Sequence, residues 1–160
     1  MKDYEKDLER MPLYQKADEI FNTVQEIADL VPEENEYLQS IASHMVGDAM
    51  IIQAKIAGAE AGDLYDIRME NAAIIRKAAR DILVVDHAFE AFDFEDVEYF
   101  TMVRKQIEEF RLLFIAWVEG FDKWNYYIDR WGMFNPPGVG PFDKDPDDDL
   151  PWDGPDFEEG

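Results

Sequence analysis

Nine apolar residues near the C-terminus of this chain recur at alternating spacings of four and three. Five of the last six are aromatic, and none carries a charge. The series is Val103, Ile107, Phe110, Phe114, Trp117, Phe121, Trp124, Ile128 and Trp131. A period of 3.5 residues is typical of a long helix packed against other helices. The series therefore predicts a helix from Glu95 to Trp131, ended by Gly132.

Three further helices are predicted before it, over 13–30, 36–61 and 63–92. Proline at 32 breaks the first from the second, and residues 2–11 are expected to add a turn or two at the start. Gly62 suits a left-handed position after the second helix, and Asp63 and Asp93 are expected to cap the third and fourth. The inward positions are Leu13, Ala17, Ile20, Phe21, Val24, Ile27 and Ala28; Leu38, Ile41, Met45, Ala49, Ile52, Ile56 and Ala59; and Ile67, Asn71, Ile74, Ala78, Ile82, Val85, Phe89 and Phe92.

The last part of the chain has a different composition. Six of the eight prolines lie at or after residue 136, and nine acids with one lysine follow from Asp143 onward. Such a segment buries too little apolar area to offset the entropy of ordering. We therefore expect an all-α protein, an antiparallel up-down four-helix bundle over 1–132 with a long C-terminal helix, followed by an irregular acidic Pro-rich tail over 133–160.

Charge and cysteine content exclude several function classes. The chain has no cysteine, so disulfides, thiol catalysis and zinc–thiolate sites are excluded. A net charge of −22 opposes binding to nucleic acid and favours a basic protein partner or a neutral apolar one. No apolar run is long enough to span a membrane, and the first residues lack the apolar region of a secretory signal, so we expect a cytoplasmic protein.

The lengths of the predicted helices suggest an interface. A helix over 95–131 would be about 55 Å long, and its neighbours only about 27–45 Å, so its aromatic end would overhang the bundle. Large exposed apolar surfaces usually mark interaction sites. The expected interface residues are Phe114, Trp117, Phe121, Trp124, Tyr127, Ile128 and Trp131. A second copy of the chain is the favoured partner; the alternatives are cover by the tail or the N-terminus, and a different protein.

A metal site is the alternative from another function class. His44 and Asp48 lie one turn apart on the second predicted helix, and His87 and Glu90 are close on the third. Neither histidine has the preceding Glu of the di-iron Glu-x-x-His pattern. The alternating acids Asp143, Asp145, Asp147 and Asp149 resemble a calcium loop but lack its Gly and Glu. No nucleophile motif or phosphate-binding loop is present, so no catalytic residue, cofactor or bound metal is predicted and the chain is not expected to be an enzyme.

Two stretches resemble a known family. Leu13-Tyr14-Gln15-Lys16-Ala17-Asp18-Glu19-Ile20 with Leu30-Val31-Pro32-Glu33-Glu34 is similar to the opening helix and turn of the four-helix-bundle family of 23S rRNA intervening-sequence proteins. Ile56-Ala57-Gly58-Ala59-Glu60-Ala61-Gly62 resembles that family's junction between helices 2 and 3. The resemblance implies an up-down bundle that forms homo-oligomers, as do the related accessory proteins of diversity-generating retroelements. Those relatives are basic and bind nucleic acid, whereas this chain is strongly acidic.

These inferences combine into one expectation of function. We expect a non-enzymatic assembly or scaffold protein that self-associates through the aromatic face of its last helix. A carboxylate/histidine metal-binding bundle and, by family analogy, a nucleic-acid-associated accessory protein are the alternatives.

Overall fold

The computed structural model describes residues 2–90 and 97–146, and within those ranges the chain is helical with no strand. The all-α prediction is therefore confirmed. The helices are α1 (Lys2–Arg10), α2 (Pro12–Leu30), α3 (Glu36–Glu60), α4 (Tyr65–Val84), α5 (Asp86–Glu90) and α6 (Val97–Glu119). Residues 120–146, called the C-terminal segment from here on, follow α6 without further α-helix.

The four long helices pack side by side around a shared apolar core. α2 lies against α3 and α6, and α4 also contacts both α3 and α6. The contact between α3 and α4 is the most extensive of the four, and that between α4 and α6 is the least extensive. Buried residues from every long helix join in one cluster, among them Ile20, Ile52, Ile75 and Ile107.

The first predicted helix is correct from Leu13 onward, but the residues before it form a separate helix. Met11 has extended backbone with ψ 125°, and Pro12 opens α2 at a position where its missing N–H costs nothing. α1 packs against α2 through the buried Leu8, and the Tyr4 hydroxyl donates a hydrogen bond to the carbonyl of Ala57 in α3.

The predicted inward positions hold for most of α2 and α3, and in α4 they hold for Ala78 and Ile82 but not for Ile67. Nearly all those of α2 and α3 are buried, whereas Ile67 is exposed and Ala72 and Ile75 take the inward places. The sequence of α4 offers two neighbouring apolar stripes. The stripe with more alanine faces the core, since small side chains permit the close approach to α3 at Gly58, where Asn71 lies 3.4 Å from the place of a Cβ.

Two predicted helix boundaries in the middle of the chain are wrong. Gly62 does not have the left-handed backbone expected of it, and Leu64, not Asp63, occupies the N-cap of α4. The third predicted helix is interrupted at Val85, where α4 ends before the short α5; the adjacent β-branched residues Val84 and Val85 are poor helix formers. Asp93 and Phe92 lie outside the described residues.

The last long helix ends at Glu119, so the predicted extension to Trp131 is wrong. Gly120 follows, and the Asp122 side chain accepts a hydrogen bond from the Trp124 N–H at 3.0 Å. Glycine weakens a helix, and a local Asp bond diverts a backbone donor from the helical pattern. With 23 residues α6 is about 34 Å long, close to the roughly 38 Å of the 25-residue α3. The predicted overhang therefore does not exist.

Candidate interaction surface

Two hydrogen bonds, one between backbone groups and one from a side-chain amide, hold the C-terminal segment against the start of α4. The Tyr65 N–H donates to the Asn125 carbonyl at 2.9 Å, and Asn125 Nδ2 donates to the Asp63 carbonyl at 3.1 Å. The first bond satisfies the Tyr65 N–H, one of the donors that lack a partner within the helix at its first turn. The chain after α6 therefore returns to the α3–α4 turn.

A shared carboxylate holds the end of α6 to the end of α3. Glu60 Oε1 accepts from Trp117 Nε1 and from Arg68 Nη2, each at 2.7 Å. The ring of Phe121 packs edge-on against Trp117, with centroids 4.8 Å apart, and the Arg68 guanidinium lies 4.1 Å from its centroid on another side. Phe121 is thus a buried anchor of the C-terminal segment, because it is enclosed by both an aromatic and a cationic contact.

Asp129 organises the tightest turn of the segment. Its carboxylate accepts N–H bonds from Trp131 at 2.9 Å, Met133 at 2.9 Å and Phe134 at 2.8 Å. The backbone N–H groups of Phe134 and Trp131, with a smaller contribution from Met133, lower the pKa of Asp129 because they stabilise the ionised carboxylate. Gly132 within this turn has φ +74°, a conformation that glycine adopts without strain.

Arg130 ties the turn to the residues that follow. Its Nη1 donates to the carbonyls of Pro141 at 3.1 Å and Asp143 at 2.7 Å, and its Nη2 contacts Asp145 at 3.2 Å. Asp145 also accepts from the Ile128 N–H at 2.9 Å. Residues 128–145 therefore form a bonded unit, and these bonds cross the predicted division of the chain at residue 132.

The structure divides the seven predicted interface residues into two groups. Phe121 and Ile128 are buried, and Phe114 and Trp117 are half-buried. The other three are exposed: Trp124 by 66%, Tyr127 by 55% and Trp131 by 92%. Only the second group is available to a partner in the single chain.

The predicted interface residues did not include two further exposed apolar side chains of the C-terminal segment. Met133 and Phe142 are 73% and 97% exposed. They fell after the predicted helix, in a part assigned to the tail, although apolar residues among Gly and Pro were a usable signal. A Cβ on Gly132 would lie 3.3 Å from Pro141, so Trp131 and Phe142 belong to adjoining stretches. The exposed apolar residues of the C-terminal segment, four of them aromatic, are together called the aromatic surface: Trp124, Tyr127, Trp131, Met133 and Phe142.

The structure keeps each histidine near its predicted acid, but it does not gather the residues into a metal site within the described ranges. His44 Nδ1 lies 3.1 Å from the Ser40 carbonyl, and His87 lies 3.8 Å from Glu90 at an exposed position. Burial, followed by the nearby Asp81, raises the pKa of Asp48. Across residues 2–90 and 97–146, no three His, Asp or Glu side chains form a group that could hold a metal ion.

The acids that resembled a calcium loop fall in two places. Asp143 Oδ2 accepts from the Gly140 N–H at 2.7 Å, and Asp145 is bonded to Ile128 and Arg130. Asp147 and Asp149 lie outside the described residues. The two described carboxylates thus support the backbone of the C-terminal segment.

None of the helices in the described ranges combines the length and apolarity needed to cross a bilayer. Comparison with protein-family models, curated proteins and solved structures found no match, so the resemblance to intervening-sequence proteins stays a prediction.

Proposed function

We propose that this chain is a non-enzymatic assembly protein that forms homo-oligomers through its aromatic surface. The observation that carries the proposal is the exposure of Trp131 and Phe142 on a segment held in place by many hydrogen bonds. Aromatic side chains on an ordered backbone lose little conformational freedom when a partner covers them, and each ring buries about 150–250 Å².

The charge distribution favours a second copy of the chain as the partner. Residues 120–146 contain four acids and three bases, although the whole chain has a net charge of −22. Two copies therefore meet with little charge repulsion at this segment. A two-fold interface also needs only one self-complementary surface, and stacked aromatic rings provide one.

The proposed protomer is an antiparallel up-down four-helix bundle. Short connections favour antiparallel neighbours, and only residues 31–35 separate α2 from α3 and 61–64 separate α3 from α4. This arrangement agrees with the resemblance of residues 13–34 and 56–62 to intervening-sequence proteins, whose membership and oligomeric habit we extend to this chain as part of the proposal.

The titratable groups with displaced pKa values support a structural role for the protein. The pKa of Lys16 is raised chiefly by its hydrogen bond to Glu109, and that of Glu108 is lowered by Arg111. Such pairs stabilise surfaces between and along helices. Active sites instead gather perturbed groups in a cleft.

The proposal is tested by replacing two rings of the aromatic surface. Trp131→Ser with Phe142→Ser should lower the mass of the assembly in sedimentation velocity to that of one chain. The matched control is Leu30→Ser with Met50→Ser, since both residues are exposed apolar side chains on other helices. A double variant with unchanged mass, or a control that dissociates equally, would contradict an interface at this surface.

A further inference from the structure

The loose contact between α4 and α6 leaves an apolar groove. The cavity there has a volume of about 380 Å³, and its floor includes Leu83 from α4 and Ile107, Phe110 and Phe114 from α6. Alanine at 79 on α4 is too small to fill the space opposite these larger side chains. We call this cavity the α4–α6 groove.

The groove continues toward the C-terminal segment. A second cavity of about 350 Å³ shares Arg76 and Phe114 with the first and is lined at its other end by Met133 and Phe134. The two cavities therefore lie next to each other along α4, and we call the pair, from the C-terminal segment to Leu83, the depression.

Two arginines on the edge of the groove have no ion-pair partner among the described residues. Arg76 and Arg80 are exposed, one helical turn apart, and neither forms an ion pair with a carboxylate of residues 2–90 or 97–146. Like charges at this spacing destabilise a helix slightly. By contrast, the neighbouring Lys77 is paired with Asp81 at 2.6 Å.

This combination defines the chemistry of a ligand. An apolar floor with unpaired guanidinium groups at its edge suits a segment with large apolar side chains and several carboxylates. In a chain with 37 acidic residues, two adjacent unpaired arginines are available to such a segment without displacing an internal ion pair.

Residues 147–160 of this chain have that chemistry. They contain seven acids and no lysine or arginine. Their large apolar residues are Leu150, Trp152 and Phe157, spaced so that carboxylates flank each ring.

The segment also starts close enough to reach the groove. Asp145, which precedes Pro146, accepts a hydrogen bond from the Ile128 N–H. Asp129, the neighbour of Ile128, accepts hydrogen bonds from the N–H groups of Met133 and Phe134, which line the near end of the depression. Residues 147–160 span up to about 46 Å when extended at roughly 3.3 Å per residue. The part of α4 from Met69 to Leu83 is only about 21 Å long.

We propose that residues 147–160 bind in the α4–α6 groove of the same chain. Trp152 and Phe157 cover the apolar floor, and the surrounding carboxylates pair with Arg76 and Arg80. The same chain is the source of the segment because a short tether gives an effective concentration in the millimolar range. This contact meets the proposed oligomer interface only at Met133, at the near end of the depression, and does not depend on that interface.

The absence of cysteine allows a direct test in the full chain. Nitroxide labels at Leu112→Cys, an exposed position on α6, and at Gly160→Cys report the distance from the groove to the chain end by double electron–electron resonance. Dilution with unlabelled protein isolates the distance within one chain. We expect a narrow distribution that loses its short component in Arg76→Glu/Arg80→Glu and also in Trp152→Ser/Phe157→Ser.

The control is Lys6→Glu/Arg10→Glu, which makes the same change in charge on α1 and should leave the distribution narrow. A broad distribution in the unmodified diluted chain would overturn the proposal. A short distance that disappears on dilution would also overturn it, because the segment in the groove would then come from a second copy. A short distance that persists in both double variants would overturn it as well.

Discussion

Asp129 and Asn135 hold each other through two reciprocal hydrogen bonds in the C-terminal segment. The Asp129 N–H donates to Asn135 Oδ1 at 2.7 Å, and Asn135 Nδ2 donates to the Asp129 carbonyl at 3.0 Å. The side-chain amide of Asn135 thus satisfies both the backbone N–H and the backbone carbonyl of Asp129, as a neighbouring β-strand would. Because Asp129 also binds three N–H groups, this pair fixes the backbone that presents Trp131 and Met133.

Replacing Asn135 by alanine should loosen the segment without unfolding the helices. Loss of the two bonds is expected to lower the free energy of local opening by about 1–2 kcal/mol, the typical effect of unpaired backbone groups. Amide hydrogen exchange at Asp129, Met133 and Phe134 measures this opening. Asn22→Ala on exposed α2 is the control, and equal protection in both variants would contradict the role given to Asn135.

The lowered pKa of Asp129 predicts a pH dependence of the same turn. A carboxyl whose folded pKa lies below its unfolded value stabilises the fold above the unfolded pKa, near 4, and loses that contribution as pH falls through the folded pKa. The ¹³C carboxyl resonance of Asp129 should therefore titrate below its ordinary value of 3.8. Asp129→Asn should abolish the acid-dependent change in Trp131 fluorescence; a titration at or above 3.8 would contradict the hydrogen-bonding account.

The positive φ of Gly132 predicts a penalty for any side chain there. Gly132→Ala should destabilise the segment by about 1–3 kcal/mol for two reasons. Alanine is strained at a positive φ, and its Cβ would lie 3.3 Å from the Pro141 side chain. Gly138 has φ +83° with no atom within 4 Å of the added Cβ, so Gly138→Ala isolates the backbone contribution. Urea unfolding compares the two, and a smaller effect at 132 than at 138 would contradict the contact with Pro141.

Replacing two aromatic residues of the segment by alanine should change the free energy of unfolding by very different amounts. Phe121→Ala is expected to cost about 3–5 kcal/mol, because a buried ring leaves a cavity between Trp117 and Arg68. Trp131→Ala should change the stability of the single chain by no more than about 0.5 kcal/mol, as is usual for exposed positions. Thermal unfolding at low protein concentration provides the comparison. Similar losses for both would show that Trp131 belongs to the core of the chain.

Apolar periodicity located the long helices well because those helices bury one continuous stripe. Ile20 and Ile52 each lie in such a stripe and are fully buried, as predicted. Periodicity failed after α6 because it indicates which residues are buried but not whether their backbone is helical. Phe121 and Ile128 do enter the interior, but from irregular chain.

The sequence contained residues that favour an end of α6 near 120, but the apolar series continued past them and was given more weight in the prediction. Gly120 and Asp122 disfavour helix continuation, whereas the apolar series ran on to Trp131. The hydrogen bonds of Asp129 and Arg130 could not be predicted, since they join residues through a turn whose geometry depends on Gly132. The α4–α6 groove could not be predicted from the sequence either, because it depends on how few contacts α4 and α6 make with each other.

The molar mass of the unmodified chain tests the proposed assembly most directly. Sedimentation equilibrium over a wide concentration range should give a multiple of the 18.7 kDa chain mass, because the proposal places a second copy on the aromatic surface. A mass of 18.7 kDa that persists at the highest concentrations would contradict self-association through this surface.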